Sequence, residues 1–188
     1  MIEHFQCCRT EIRKYKGTFK SGDLFTISQD NKSVTKFSSN GWNANIIGND
    51  SIDKGAIAII NFRIEKIDSN SNIMFSAAPI SINQKRVNLY QSCGCYLNST
   101  LGGLYCQSPL SYIDYSFLNQ NHLSEGTVIT MIVDTNIRKI SFKINWGLVK
   151  TGYHTITFNE PIVPCVLLYT KGNSVTIPNP QSPLKIKK

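Results

Sequence analysis

The chain has 188 residues, of which 41% are hydrophobic and 17% are charged. This length and this apolar share are typical of one soluble globular domain, and they exclude a wholly disordered chain. No apolar run approaches the roughly 20 residues that a membrane-spanning helix needs. The first residues lack the positive-then-apolar layout of a secretion signal, so we expect a cytoplasmic or nuclear protein.

The net charge of +8 raises the question of a nucleic-acid or anionic-membrane partner. The excess lies mainly at the ends of the chain, in residues 9–20 and 185–188. Aromatic residues are not interleaved with Lys and Arg on one strand face, as they are in many nucleic-acid binders. We therefore expect solvated basic termini, with weak electrostatic attachment to an anionic surface as the alternative for the charge, and we regard nucleic-acid binding as an alternative function.

The six cysteines lack the spacing of a disulfide framework or a zinc site. Cys165 lies in an apolar run and is expected to be a small buried hydrophobic residue. His4, His122 and His154 stand in no nucleophile or metal motif, and no glycine-rich phosphate loop is present. We expect no catalysis, no cofactor and no metal.

Strand-length segments recur along the chain between turns rich in Asn, Asp and Gly. Alternation of apolar and polar residues predicts half-buried strands at 60–65 and 139–145. Residues 127–133 and 162–168 are nearly continuous apolar runs, which predicts central strands covered on both faces. In chain order the predicted strands cover residues 24–28, 33–37, 45–47, 60–65, 73–78, 96–98, 104–106, 127–133, 139–145, 162–168 and 174–177.

This pattern predicts an all-β protein of about 11 to 13 short strands in two packed antiparallel sheets, a β-sandwich. Residues 20–178 would form the domain. Residues 1–19 would precede it or pack on it, with residues 1–16 as a short helix or an edge strand. Residues 179–188 would form a basic flexible tail.

The C-terminal half resembles the SPRY family in four segments that occur in the family's order. Residues 125–134 (EGTVITMIVD) are similar to its strand that opens on Gly and closes on Asp. Residues 138–145 are similar to its "ISF…N" strand, 161–166 to its "PLYPAV" strand and 172–177 to its closing "GxSVTI" segment. The resemblance covers residues 20–178 and implies a concanavalin-like jelly-roll sandwich.

The matching residues also have direct structural interpretations. Gly126 and Gly147 suit turns that need a positive φ. Asp134 can accept hydrogen bonds from the backbone amides of the turn that follows it. These residues identify the scaffold and carry no information about a ligand.

By this resemblance, the domain would bind a peptide or a folded protein through loops at one end of the sandwich, as an adaptor or assembly subunit. Aromatic and basic side chains would anchor the partner. The candidates are three aromatic residues, expected to meet at one rim, and the polar loop residues beside them: Asn40, Trp42, Asn43, Tyr105, Tyr169, Thr170, Lys171 and Gly172. Lys171 would favour an acidic or Asn-rich peptide. We expect a monomer in isolation.

A lectin-like function is the other alternative, since related sandwiches bind sugars. Its signs would be calcium-liganding Asp and Asn residues around a stacking aromatic residue. Residues 50–53 and 68–70 have roughly this composition. Such segments are more simply explained as turns.

Overall fold

The computed structural model describes residues 11–43, 45–68, 71–82, 95–98, 104–106, 112–114, 123–145, 147, 150–152 and 160–179. Every regular element in these ranges is a strand, and none of them holds a helix able to cross a bilayer. The strands are β1 (Glu11–Lys14), β2 (Phe25–Ile27), β3 (Ser33–Lys36), β4 (Ile46–Ile47), β5 (Ala56–Lys66), β6 (Ile73–Pro79), β7 (Cys95–Asn98), β8 (Leu104–Cys106), β9 (Tyr112–Asp114), β10 (Val128–Asp134), β11 (Lys139–Ile144), β12 (Lys150–Gly152), β13 (Ile162–Leu168) and β14 (Ser174–Thr176).

The strands form two sheets. The first has the order β12-β11-β10-β5-β14-β3-β2, and the second has the order β4-β13-β6-β7-β8-β9. The long strand β5 pairs with β10 along one edge. Along its other edge it pairs first with β1, in parallel, and then with β14, antiparallel. All other pairs in both sheets are antiparallel.

The core lies between the two sheets. Alternate residues of β5 point inward, and its buried members include Ile60 and Phe62. From the second sheet, Phe75 packs on Phe62 with ring centroids 5.3 Å apart. Both belong to one large apolar cluster that collects residues from both sheets. The predicted all-β sandwich is therefore confirmed.

The two apolar runs of the sequence have different environments. All seven residues of β13 are buried, as the run predicted. In β10 only alternate residues are buried, because Val128, Thr130 and Ile132 lie on the outer face of the first sheet. The prediction that this strand is covered on both faces was wrong. β-branched side chains suit a half-buried sheet surface as well as a core, so the run did not distinguish the two.

The N-terminal segment belongs to the sandwich from residue 11 onward. Residues 11–14 form β1, and Phe19 is buried in the main core and bridges to Gly48. Part of the segment before residue 20 therefore packs on the domain. Two strands, β9 and β12, were absent from the sequence prediction, and β1 is the edge strand that the sequence left open beside a short helix. Residues 1–10 and the predicted tail at 180–188 lie outside the described residues.

Two turns follow the sequence interpretation. Gly126 has a φ of 82°, in the left-handed region that favours glycine. Asp134 Oδ1 accepts hydrogen bonds from the amides of Asn136 (2.9 Å) and Ile137 (3.3 Å). In the turn after β11 the positive φ lies at Asn145 (48°) instead of at Gly147, where it was expected, and Gly147 N donates to Ile144 O at 2.9 Å.

Candidate partner-binding site

Two loops lie side by side at one end of the sandwich. Residues 38–43 follow β3, and residues 169–173 connect β13 to β14; together we call them the rim. Gly41 N donates to Tyr169 O at 2.9 Å, and Lys171 N donates to Asn40 Oδ1 at 2.9 Å. The two loops are thus fixed to each other by one backbone bond and one side-chain bond.

An aromatic pair joins the same loops. The rings of Trp42 and Tyr169 have centroids 5.1 Å apart and planes inclined at 61°, an edge-to-face arrangement. Both side chains are half-buried. Trp42 also packs against the apolar cluster on the outer face of the second sheet, which includes Cys165 and Leu167. Each ring therefore keeps part of its surface exposed while its orientation is fixed.

A buried lysine supports the first loop from beneath. Lys36, the last residue of β3, is only 1% exposed. Its Nζ donates to Gly41 O at 2.6 Å and also to Asn43 Oδ1. Its backbone joins the second loop, because Lys36 N donates to Asn173 O and Gly172 N donates to Lys36 O. One residue therefore holds both loops of the rim.

The Lys36 ammonium has no carboxylate partner among the described residues. Burial without an opposite charge disfavours the protonated amine, and it lowers the pKa of Lys36 to about 8. Two oxygen acceptors, a carbonyl and an amide, partly offset the cost of removing the charge from water. The shape of the loop and the state of this amine are therefore coupled.

A third loop braces the rim from the β5–β6 connection. Tyr169 N donates to Asn72 O at 3.0 Å. The buried Asn173 side chain donates to Ser71 Oγ and accepts from Asp68 N at 3.3 Å. The turn closes with Asn173 N donating to Thr170 O. This network leaves the backbone of the second loop little freedom.

Seven of the eight predicted site residues lie in this rim: Asn40, Trp42, Asn43, Tyr169, Thr170, Lys171 and Gly172. Asn40 and Lys171 are exposed, and the other five are partly buried. Gly172 has a φ of 88°, which a side chain would strain. Asn43 acts as an acceptor for Lys36, which is a supporting role.

The backbone of Tyr105, the eighth predicted site residue, lies outside the rim. On β8 it is opposite Tyr96, which is opposite Ser76, which is in turn opposite Cys165 of β13. The backbone of Tyr105 is thus three strand spacings, about 14 Å, from β13 across the sheet. Cys165, the residue of β13 that is in register with it, lies four residues, about 13 Å, before Tyr169 along the strand. The register does not bring Tyr105 to the rim backbone.

Sequence reasoning missed three residues at or beside the rim. Lys36 and Asn173 are buried polar supports, and Phe37, directly before the first loop, is 48% exposed. The sequence did indicate that Lys36 points inward. Side chains two apart in a strand lie on the same face, and Val34, two residues before Lys36, is apolar. A lysine at an inward position needs acceptors nearby.

The acidic loop considered for a lectin-like site is occupied by internal contacts. Asp53 pairs with Arg13 at 2.8 Å, and Ile52 is buried and bridges to Ile162. Within the described ranges no group of three or more His, Cys, Asp and Glu residues could hold a metal ion. Of residues 68–70, only Asp68 is described.

Comparison with known proteins identifies the fold. No family model matches the sequence, and no curated protein matches it. Among solved structures, the SPRY domain of human HERC1 is similar, with a TM-score of 0.64 at 18% identity over 85% of this chain and 95% of that one. The TRIM65 PSpry domain is similar with a TM-score of 0.65 at 14% identity, over 89% of this chain and 91% of that one.

These likenesses extend over most of both chains. The chain is an all-β sandwich with the SPRY-domain fold. The resemblance indicated by the motifs is confirmed at the level of the fold.

Proposed function

We propose that the chain is a non-catalytic recognition module that binds a peptide or a folded protein at the rim. The observation that carries the proposal is the Trp42–Tyr169 pair, half-exposed and held between two loops. Solved SPRY domains suggest a protein-interaction role for this fold. The non-catalytic part rests on the sequence, which contains no nucleophile, phosphate-loop or metal motif.

The rim is suited to binding because its parts are already ordered. An aromatic ring that is fixed before binding loses little conformational entropy when a partner covers it. The hydrogen bonds between the two loops and the buried Lys36 supply this order. Aromatic anchors of this kind dominate the energetics of many protein interfaces.

Charge at the rim favours an acidic partner. Lys171 is exposed beside Tyr169, whereas the Lys36 ammonium is buried and occupied by Gly41 and Asn43. The rim therefore presents one cation next to two ring surfaces. A peptide with an apolar residue followed or preceded by Asp or Glu would match both features.

The test is a random-peptide display selection on the wild-type chain. Enriched peptides are then synthesised, and their Kd values are measured by fluorescence anisotropy. Tyr169→Ala should weaken binding by roughly thirtyfold, because a central aromatic anchor contributes about 2 kcal/mol. Lys171→Gln should weaken it only about threefold, since an exposed charge contributes little.

The matched control is Gln29→Ala. Gln29 is exposed on the β2–β3 turn, at the end of β3 that faces away from the rim. It should leave the Kd unchanged. Peptides that bind Tyr169→Ala and wild type equally would overturn the proposal for the rim, and no enrichment at all would overturn its peptide form.

A further inference from the structure

Among the described residues, the two most exposed large apolar side chains lie at the opposite end of the first sheet. Ile12 is 64% exposed on β1, and Ile137 is 65% exposed in the β10–β11 turn. Ile12 is opposite Ile57, near the start of β5. The rim lies beside the other end of β5, near Lys66. Nine residues of β5 separate the two places, about 30 Å.

Hydrogen bonds and strand register hold these two isoleucines at one end. Ile57 is opposite Asp134 of β10, and Asp134 Oδ1 accepts from Ile137 N at 3.3 Å. Thr135 Oγ1 donates to Asp53 O at 3.0 Å, which fixes the turn before β5 beside the β10–β11 turn. Both turns and β1 therefore form one continuous surface.

Exposed basic residues surround the isoleucines. Lys14, Lys54 and Arg138 are exposed, and Lys139 is half-buried. We call this surface the isoleucine end; it consists of Ile12, Lys14, Lys54, Ile137, Arg138 and Lys139. Farther along β5 and β10 the same outer face continues with half-buried Ile57, Ile59 and Ile132.

Two acidic residues nearby, Asp53 and Asp134, are engaged within the chain. Asp53 pairs with Arg13 at 2.8 Å. Asp134 Oδ1 accepts from two backbone amides and from Asn136 Nδ2. The two turns, the residues that flank them and β1 together contain five basic and three acidic residues. The basic ones are Arg13, Lys14, Lys54, Arg138 and Lys139, and the acidic ones are Glu11, Asp53 and Asp134. The surface is therefore apolar and net positive.

We propose that the isoleucine end docks on an anionic membrane surface. Exposed aliphatic side chains enter the boundary between headgroups and acyl chains, and surrounding basic residues are attracted to anionic lipids. Protein interfaces are enriched in aromatic residues and Arg and depleted in Lys. None of the six residues of the isoleucine end is aromatic, and three are lysines. A second copy would bring like charges together, which opposes self-association here.

The test is flotation of the full chain with vesicles of phosphatidylcholine containing about 30% phosphatidylserine, compared with pure phosphatidylcholine, at about 100 mM salt. Wild type should float only with the anionic vesicles. The pair Ile12→Gln and Ile137→Gln should lower the partition coefficient at least tenfold, since two apolar side chains are lost from the contact. The pair Lys14→Gln and Lys54→Gln should lower it roughly twenty-fivefold, about fivefold for each charge.

The matched control is the pair Lys20→Gln and Lys66→Gln, which removes the same charge from exposed positions away from the isoleucine end. It should change the partition coefficient less than threefold. If the control lowers binding as much as the other lysine pair, diffuse charge explains binding and the proposal fails. If wild type does not float with anionic vesicles, the membrane is excluded and an acidic protein becomes the occupant to test.

Discussion

The two sheets of the sandwich use their outer faces in opposite ways. In the second sheet, β6 and β13 are buried on both faces, and Val163, Cys165 and Leu167 form an apolar cluster outside the main core. In the first sheet, β5 and β10 bury one face only. The outer positions of these strands mix isoleucine with Thr, Asn and Arg.

This difference means that the strands of the second sheet mainly stabilise the fold, whereas the outer face of the first sheet is available for recognition. In a strand that is buried on both faces, a substitution at any position disturbs packing and lowers stability. A strand with one half-exposed face can vary there and keep its core side intact. The first sheet is therefore where the molecule can present a surface such as the isoleucine end without weakening its core.

The largest expected effect contrasts one outer position from each sheet. Val163→Asp places a charge at a site that is 0% exposed, and it should lower the free energy of unfolding by more than about 4 kcal/mol. Ile132→Asp changes a half-buried outer position and should cost about 1–2 kcal/mol. Urea unfolding of both variants measures this; equal losses would mean that the outer face of the second sheet is not covered in solution.

An intermediate effect concerns Lys36, the one charged residue among the buried side chains that the structure describes. Its folded pKa of about 8 lies below its ordinary value of 10.5, so the unfolded chain binds more protons between these values. The contribution of Lys36 to stability should therefore rise with pH from about 8 to 10.5, by at most about 1.4 kcal/mol per pH unit.

The measurement is urea unfolding of wild type and Lys36→Met across this pH range. The difference between the two cancels the titration of cysteines and tyrosines that both chains share. A difference that does not change with pH would show that Lys36 keeps an ordinary pKa in the folded chain. At neutral pH, Lys36→Met should alter stability by less than about 2 kcal/mol, because lost desolvation and lost hydrogen bonds oppose each other.

The smallest expected effect concerns the β10–β11 turn, which belongs to the isoleucine end on the first sheet. Asp134→Ala removes the acceptor for two backbone amides and should cost about 1 kcal/mol. Asn136→Ala removes only one side-chain donor to the same oxygen and should cost less than half as much. Thermal unfolding of both variants compares them, and the reverse order would contradict the assigned role of Asp134.

Much of the fold followed from period-2 patterns and turn residues, because each alternating strand has one core face. The apolar runs of β10 and β13 could not be told apart, since burial of the second face depends on what covers it. β1 was undecided because its four residues carry three charges, and only the edge of β5 makes it a strand. Its parallel pairing is a tertiary property that local sequence does not contain.

For the candidate site, the order of family-like motifs placed residues 40–43 and 169–172 together, and the structure joins them through Gly41 and Tyr169. Tyr105 could not be placed, because its distance from the rim depends on the number of strands between β8 and β13. Lys36 was missed since its acceptors, Gly41 O and Asn43 Oδ1, are set by the path of a loop.

The pairing of β5 has a consequence for how the protein is made. This strand, at residues 56–66, is flanked by residues 11–14, 128–134 and 174–176. When a ribosome has produced the first hundred or so residues, β5 has only one of its three neighbours available. Its central apolar segment then keeps an open hydrogen-bonding edge until β10 emerges, and its end does so until β14 emerges. Complete assembly of the first sheet therefore requires residue 176, and pairings between segments so far apart in sequence form more slowly than local contacts do.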